Sequence, residues 1–303
     1  MSNTESARSS KTEYSNNRDF VSIIVTTYNG DKELEFCLRT LLSELDQDCE
    51  IIIADDGSSD PRTRELIDAF RKDCPVAVKH AWHDDDGARK ARARNNAARL
   101  STGNILLFLD HDVLAPPGFL KMVRQGMVPG WFAGGRRVKL DQAMTHAMFD
   151  GRMRPRDVFH ISFALKAALR RLQGWRYLFP LRDRRPGGAP QSWRGMASFC
   201  LAVYRDDFLA IDGFDHRYTE YTVEDWDLFA RLVNIGIKPG YFPRQATLAH
   251  VWHPEYEQDF DGPNYRMLNE VIASGAIKAK LGISTLDSEA PDNSINTSTT
   301  VNN

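Results

Sequence analysis

The apolar run Ile-Leu-Leu-Phe-Leu at 105–109 ends directly in Asp110, His111 and Asp112. Five consecutive apolar residues are typical of a strand that is buried on both faces, as in a parallel sheet covered by helices. A carboxylate that leaves water at the end of such a strand is costly unless a cation or hydrogen-bond donors stabilise it. The run therefore predicts a buried strand whose carboxyl end carries two aspartates and a positively charged partner for them.

Short apolar segments and helix-like segments alternate through the first half of the chain. Strands are predicted over 20–25, 50–54, 76–80 and 104–109, and helices over 31–45, from Pro61 onward, and over 88–100. Strands that alternate with helices form parallel sheets whose two faces are covered. We therefore expect an α/β fold with a mainly parallel central sheet flanked by helices.

The second half of the chain is less regular. A strand is predicted over 198–204 and a helix over 223–233. Between 152 and 185 the chain carries ten Lys or Arg against two Asp, interleaved with aromatic and aliphatic residues. This basic amphipathic stretch could contact an anionic membrane surface or flank a binding groove, and a solvated helix and loop packed on the domain is the alternative.

Charge and hydropathy exclude several classes of protein. The 39 Lys and Arg nearly balance the 41 Asp and Glu, so no nucleic-acid partner is expected. No apolar stretch reaches the ~20 residues that cross a bilayer, and no signal peptide is visible. The four cysteines lack CxxC spacing, which favours reduced thiols and a cytoplasmic location. The polar segments 1–18 and 286–303 are predicted to be disordered.

Three of the predicted strands end in polar segments. These are TTYNG at 26–30, DDGSS at 55–59 and DHD at 110–112. Ligands of open α/β sheets bind at the carboxyl ends of the strands, so we expect the three segments to converge on one crevice. Two carboxylates spaced D-x-D can face one hard divalent cation such as Mg²⁺ or Mn²⁺, which keeps positions for phosphate oxygens.

Other phosphate-handling classes fit the sequence less well. The chain has no GxGxxG after its first strand and no GxxxxGK[ST] loop. Haloacid-dehalogenase-type phosphatases also use a strand-end D-x-D, but at the first strand and with a nearby Thr. Here the pair ends the fourth strand and Val113-Leu114-Ala115 follows. A nucleotidyltransferase would need a Gly-rich basic first loop, which TTYNGDKELE does not supply.

Four ordered segments resemble the signatures of family-two glycosyltransferases with the GT-A fold. They are VSIIVTTYNG, IIIADDGSSD, GARKARARNNAARLSTGNILLFLDHD and GFDHRYTEYTVEDWDLFARL, and the resemblance covers about residues 20–255. It implies a single Rossmann-like domain with a C-terminal acceptor-side subregion. Residues 19–135 would form the nucleotide-sugar-binding half, and residues 136–285 would form the acceptor-binding, catalytic half.

The resemblance also implies which residues bind the donor. The nucleoside would contact Thr26, Thr27 and Tyr28, and Asp56 would accept a hydrogen bond from the base beside Asp55. Arg94 would meet phosphate, and Asp110 and Asp112 would match the D-x-D that binds the metal and the nucleotide sugar. His111 is expected to point the other way.

The catalytic and metal-ligand assignments follow in the same way. In the EDWD element, Asp225 matches the base that takes the acceptor proton in an inverting transfer, and Glu224 would contact the acceptor. His253, and less directly His250, match histidines that supply a metal ligand in relatives. His80 and His83 are expected on the surface.

The resemblance therefore implies a metal-dependent inverting glycosyltransferase that uses Mn²⁺ or Mg²⁺. The expected donor is a UDP-linked sugar, and the acceptor is a glycan or a lipid-linked saccharide. Contact of 152–185 with the inner face of the membrane would make the protein peripheral. The alternative is a non-catalytic nucleotide-sugar-binding subunit of a glycan-assembly complex, which the retained acidic residues disfavour.

Overall fold

The strands of this protein build two sheets in a computed structural model that describes residues 20–170, 172–178, 192–220, 223–254 and 261–287. In chain order the strands are β1 (Val21–Thr27), β2 (Cys49–Asp55), β3 (Val78–Trp82), β4 (Ile105–Asp110), β5 (Val113–Leu114), β6 (Trp131–Gly134), β7 (Arg137–Lys139), β8 (Cys200–Tyr204), β9 (Lys238–Tyr241) and β10 (Leu248–His250). The terminal segments predicted to be disordered lie outside the described residues, except for 286 and 287.

Helices separate most of the strands, as the alternating pattern predicts. The α-helices are α1 (Lys32–Leu42), α2 (Pro61–Asp73), α3 (Lys90–Leu100), α4 (Phe119–Gly126), α5 (Gln142–Phe149), α6 (Ile161–Leu169), α7 (Arg205–Ala210), α8 (Glu224–Asn234) and α9 (Pro263–Ser274). Short 3₁₀ helices span Pro155–Phe159, Trp175–Leu178, Arg244–Ala246 and Ile283–Asp287. The predicted strands and helices are all confirmed, with ends shifted by at most three residues. Among the described helices, none is long and apolar enough to cross a bilayer.

The larger sheet has the strand order β3-β2-β1-β4-β8-β6-β9. The first four strands in this order pair in parallel, which confirms the mainly parallel sheet. The register places Thr27 opposite Asp55 and Thr26 opposite Asp110. The polar carboxyl ends of β1, β2 and β4 therefore lie side by side at the same edge of the sheet.

A smaller sheet of order β5-β10-β7 brings the C-terminal half to the same edge. β10 runs antiparallel to β5, with His250 opposite Val113, and the Val251 amide donates to the Asp112 carbonyl at 3.0 Å. Residues almost 140 positions apart therefore become neighbours through backbone pairing. The sequence pattern did not indicate this second sheet.

Alternate residues of the central strands enter two cores, which explains why the strands are apolar on both faces. One face packs against α1, α2 and α4, and the other against α3, α7 and α8. Leu107 belongs to the first core, and Phe108 belongs to the second. The Phe108 ring lies 5.4 Å from the Phe208 ring and 5.3 Å from the Phe214 ring, measured between centroids.

A buried polar network fixes the opposite end of the same strands. The Glu50 carboxylate accepts hydrogen bonds from Ser22 Oγ at 2.7 Å, from the Thr102 amide at 2.6 Å and from Lys79 Nζ at 2.7 Å. Burial alone would raise the pKa of Glu50, but Lys79, Ser22 and Thr102 together lower it. One carboxylate therefore joins β1, β2, β3 and the turn before β4.

We expect Glu50→Gln to lower the free energy of unfolding by about 2–3 kcal/mol at pH 7, because buried donors lose a charged acceptor. The loss is measured by urea denaturation. The native pKa is lowered, so the stabilisation is complete above the ordinary glutamate pKa of about 4.3 and disappears as the pH falls toward the native value.

The matched control is Glu35→Gln, which removes an exposed partner of Arg39 and should cost about 0–1 kcal/mol. Equal stability of Glu50→Gln and wild type at pH 7 would contradict this account of the network.

Candidate active site

A cavity of ≈ 340 Å³ opens at the carboxyl ends of β1 and β4. It joins residues from the first half of the chain with residues from the C-terminal side of β10. The predicted site residues in its lining are Thr26, Thr27, Tyr28, Asp56, Asp110, Asp112, His250 and His253. The sequence segments that were expected to converge on one crevice therefore do so. We call this space the donor cavity.

Asp110 ends β4 and obtains its cationic partners from α3. Its carboxylate accepts hydrogen bonds from Lys90 Nζ at 3.0 Å and from Arg94 Nη2 at 2.8 Å. Burial alone would raise the pKa of Asp110, but the charges of Lys90 and Arg94 lower it. Lys90 and Arg94 are therefore the positively charged partners that were predicted for an aspartate at the end of this apolar strand.

Arg94 occupies a different position from the predicted phosphate contact. Its guanidinium is fully buried and does not line the donor cavity. It donates to Thr26 Oγ1 at 3.1 Å, to Ser198 Oγ at 2.7 Å and to Asp110. The phosphate role does not fit this arrangement, because the side chain instead links β1, β4 and the segment before β8.

Asp112 lies between two histidines of the C-terminal half. Its Oδ2 atom is 3.2 Å from His250 Nε2 and 3.2 Å from His253 Nε2. One ligand atom from each of the three residues lies within 4.8 Å of the others. Asp110, which was also predicted to be a metal ligand, is not part of this group. The structure thus brings together three of the four predicted metal ligands.

The chemistry of this group fits a divalent cation. Asp112 Oδ1 is buried and has no hydrogen-bond partner among the described residues, so one carboxylate oxygen is left for another ligand. Burial alone would raise the pKa of Asp112, but His250 and His253 hold it well below its usual range. Hydrogen bonding to Asp112 in turn raises the pKa of His253. An oxygen and two imidazole nitrogens are a common donor set for transition metals.

The other side of the donor cavity carries the residues predicted to bind the nucleoside. Asp56 is buried, and its carboxylate accepts from the Arg89 amide at 3.0 and 3.2 Å. Tyr28 is 38% exposed and donates to Asp85 at 3.0 Å, which leaves its ring at the cavity wall. Thr27 Oγ1 is buried without a partner among the described residues. This wall offers one carboxylate and one aromatic face.

Two expectations about neighbouring histidines are wrong. His80 and His83 were expected on the surface, but they are only 5% and 2% exposed. His80 Nε2 is 2.9 Å from Asp55 Oδ2, and His83 Nε2 is 3.3 Å from Asp56 Oδ1. Asp55 does not line the donor cavity, so its position is that of a structural partner of His80. Asp55 and Asp56 are buried at the end of β2, and each has a histidine ring nitrogen close to its carboxylate in place of water.

The predicted base lies in the first turn of α8. Asp225 Oδ2 accepts from the Ser198 amide at 3.0 Å, and Oδ1 accepts from the Trp226 amide at 2.8 Å. Burial and the nearby charge of Glu224 raise the pKa of Asp225 to about 7. Glu224 Oε1 is 3.8 Å from Arg94 Nη1, and its Oε2 is buried with no hydrogen-bond partner in the described part of the chain. Asp225 does not line the donor cavity but is tied to it through Ser198 and Arg94.

Sequence reasoning missed several residues of this site. His111 was expected to point away, but it lines the donor cavity with Nδ1 3.1 Å from the Thr26 carbonyl oxygen. Lys90 and Arg137 also line it. Ser198 joins Arg94 to Asp225 and belongs to no predicted motif. Several basic residues crowd α3, and no sequence signal singled out Lys90 among them.

Comparison with known proteins agrees with this geometry. Residues 22–185, more than half of the chain, match the family model described as glycosyl transferase family 2. Residues 186–254 match a model described as the N-terminal domain of galactosyltransferase.

Curated relatives carry related names. Validoxylamine A glucosyltransferase of Streptomyces hygroscopicus subsp. limoneus is 28% identical over 229 residues, which are 72% of this chain and 48% of that protein. The Escherichia coli protein WfaP, a UDP-Glc:alpha-D-GlcNAc-diphosphoundecaprenol beta-1,3-glucosyltransferase, is 33% identical over 94 residues, 31% of this chain and 36% of that protein. The chain spans about half the length of the validoxylamine A glucosyltransferases it matches.

Solved structures show the same fold at low sequence identity. Staphylococcus aureus TarS 1–349 in complex with UDP has a TM-score of 0.56 and 16% identity, covering 88% of this chain and 68% of that chain. The mannosyltransferase PcManGT of Pyrobaculum calidifontis, in complex with GDP-Man and Mn²⁺, has a TM-score of 0.50 and 16% identity, covering 86% and 64%. The family match, the sheet order and these neighbours lead to one conclusion: the chain belongs to glycosyl transferase family 2 and has the GT-A fold.

Proposed function

We propose that this chain is a metal-dependent inverting glycosyltransferase that uses a UDP-linked sugar. The acceptor is the hydroxyl of a glycan or of a lipid-linked saccharide. The observation that carries the proposal is the joining of three acidic centres in one site. Asp56 and Asp112 face the donor cavity, and Asp225 is connected to that cavity through Ser198 and Arg94.

Asp112, His250 and His253 would hold the cation. One carboxylate and two imidazoles suit Mn²⁺ better than Mg²⁺, which prefers an all-oxygen shell. The bound cation would neutralise the diphosphate as negative charge grows on the leaving nucleotide. The presence of Mn²⁺ with GDP-Man in the PcManGT structure supports this proposal. Lys90 and Arg94 stabilise the ionised form of Asp110, which lines the same cavity.

Asp56 and Tyr28 would bind the base of the nucleotide. A buried carboxylate forms a strong hydrogen bond with the imide N–H of a pyrimidine, and the exposed tyrosine ring offers a stacking face. The UDP in the TarS complex and the UDP-glucose in the WfaP name support a uridine nucleotide. His83 and the Arg89 amide fix the Asp56 carboxylate in position before the base arrives.

Asp225 would act as the general base. A carboxylate whose pKa is about 7 accepts a proton from a hydroxyl more readily than an ordinary aspartate at neutral pH. The backbone amides of Ser198 and Trp226 donate hydrogen bonds to its two oxygens, which fixes the orientation of the carboxylate. A buried carboxylate held by two backbone amides at the position of the expected base supports the catalytic interpretation over a subunit that only binds nucleotide sugars.

Contact with the inner face of a membrane remains part of the proposal for 152–185. Within this stretch, α6 exposes Leu165 and Leu169, whose side chains are one helical turn apart and 55% and 85% exposed. Lys166 and Arg170 lie beside them. Exposed leucines next to basic residues suit an anionic lipid surface. Residues 171 and 179–185 lie outside the described part of the chain.

Removal of a metal ligand should weaken cation binding. We expect Asp112→Asn and His253→Ala to weaken Mn²⁺ binding in the presence of UDP by about tenfold or more, because each removes one donor. Electron paramagnetic resonance titration of free Mn²⁺ measures this without turnover. His146→Ala, an exposed histidine on α5, is the control. Unchanged Mn²⁺ affinity in both variants would exclude this cation site.

The pH profile tests the base. We expect kcat/KM to fall about tenfold per pH unit below about 7, because the protonated carboxyl group cannot accept a proton.

Asp225→Asn should lose about 10²–10⁴-fold in kcat while UDP affinity stays within about twofold. Burial is the main cause of the raised pKa of Asp225, and Glu224→Gln removes the second cause, the nearby negative charge, so the acid limb should move part of the way to lower pH. An acid limb that persists unchanged in the residual activity of Asp225→Asn would show that another group titrates.

A further inference from the structure

A second cavity of ≈ 830 Å³ adjoins the donor cavity. We call it the basic groove and define it by Arg136, Arg137, Lys139, Arg176 and Arg244, all of which line it. Arg137 lines both cavities, so the two spaces meet at this side chain. The groove therefore begins where the donor cavity ends.

The groove also lies next to the backbone segment that holds the candidate base. Its lining includes Ala197 and Phe199, the two neighbours of Ser198. The Ser198 amide donates to Asp225 at 3.0 Å, and the Asp110 amide donates to the Phe199 carbonyl at 3.0 Å. A molecule in the groove would therefore lie beside the backbone segment that is hydrogen-bonded to the end of β4 and to the first turn of α8. An acceptor of the proposed reaction would have to lie near this segment.

The two cavities differ in charge. The lining of the basic groove contains five Arg or Lys and, among the described residues, no Asp or Glu. The lining of the donor cavity contains four carboxylates, those of Glu33, Asp56, Asp110 and Asp112, against the two cations Lys90 and Arg137. A polyanionic nucleotide would need a cation to enter the acidic donor cavity, whereas the basic groove attracts an anion directly.

Aromatic rings orient the guanidinium groups of the groove. The Arg136 guanidinium lies 4.8 Å from the Tyr241 ring centroid and 5.8 Å from that of Tyr177, and Arg244 lies 5.5 Å from Tyr177. Stacking holds the planar group in a fixed direction, and several oriented guanidiniums are the arrangement that recognises phosphate. The same rings supply apolar surface for the rest of the ligand.

We propose that the basic groove binds the acceptor and that this acceptor bears a phosphate group close to the hydroxyl that receives the sugar. The inference rests on the proposed transferase function and adds the chemical class of its acceptor. The arginines and Lys139 would hold the phosphate, and the hydroxyl would then face Asp225.

Two sources of such a phosphate are possible, and the structure offers a feature that separates them. A cavity of ≈ 400 Å³ shares Tyr177 and Arg244 with the basic groove and is otherwise lined largely by apolar residues such as Pro116, Phe159 and Leu178. An alkyl chain attached to the phosphate would fit there. A phosphorylated saccharide without a lipid would leave it unused.

Isothermal titration calorimetry with the full chain tests the proposal. UDP and Mn²⁺ are kept saturating so that the donor cavity is filled, and the probes are octyl phosphate, glucose 1-phosphate and uncharged glucose. We expect at least one phosphate probe to bind about tenfold or more tightly than glucose.

The double variant Lys139→Gln/Arg176→Gln should lower the affinity for that probe about tenfold, because two phosphate contacts are lost, while UDP affinity changes less than about twofold. Arg39→Gln, which removes an exposed charge on α1, should change neither.

The outcomes separate the possibilities. Tighter binding of octyl phosphate than of glucose 1-phosphate supports a lipid-linked phosphate, and the reverse order supports a phosphorylated saccharide. Binding of neither phosphate probe above glucose, or equal binding by the double variant, would overturn the proposal. UDP affinity reports on the donor site separately, so failure of the acceptor inference is distinguishable from failure of the transferase function.

Discussion

The ion pair between the buried Arg94 and the partly buried Asp110 is the interaction on which the arrangement of this site depends. Asp110 ends β4, whose other five residues are all apolar and buried, and Arg94 has no exposed surface. The guanidinium also donates to Thr26 and Ser198, so one side chain fixes the edge of β1, the edge of β4 and the amide that holds Asp225. Loss of Arg94 would remove the contacts to β1, to β4 and to Ser198 together, whereas loss of Asp110 would leave the buried guanidinium without its carboxylate partner.

The carboxylates of the site have different surroundings, and their protonation differs accordingly. Asp112 lies between two histidines that lower its pKa, which suits a metal ligand. Asp225 is buried beside another acid, which raises its pKa to about 7 and suits a proton acceptor. Separation of pKa values between neighbouring acids is a general way for one site to hold a charged ligand and an active base at the same pH.

The sequence predicted the framework well and the contacts between distant segments poorly. Periodicity located every strand of the parallel half, because a strand buried on both faces must be apolar throughout, as in 105–109. It could not indicate that His80 and His83 are buried, because their partners Asp55 and Asp56 lie about 25 residues away. The grouping of Asp112 with His250 and His253 depends on strand pairing between β5 and β10, and only resemblance to a family suggested it.

The most direct test of the central claim is a crystal structure with UDP and Mn²⁺, in which anomalous scattering locates the metal. The account predicts a manganese peak bonded to Asp112, His250 and His253, with the diphosphate of UDP on the same ion and the uracil against Asp56. A manganese ion bound elsewhere, or UDP bound outside the donor cavity, would contradict it.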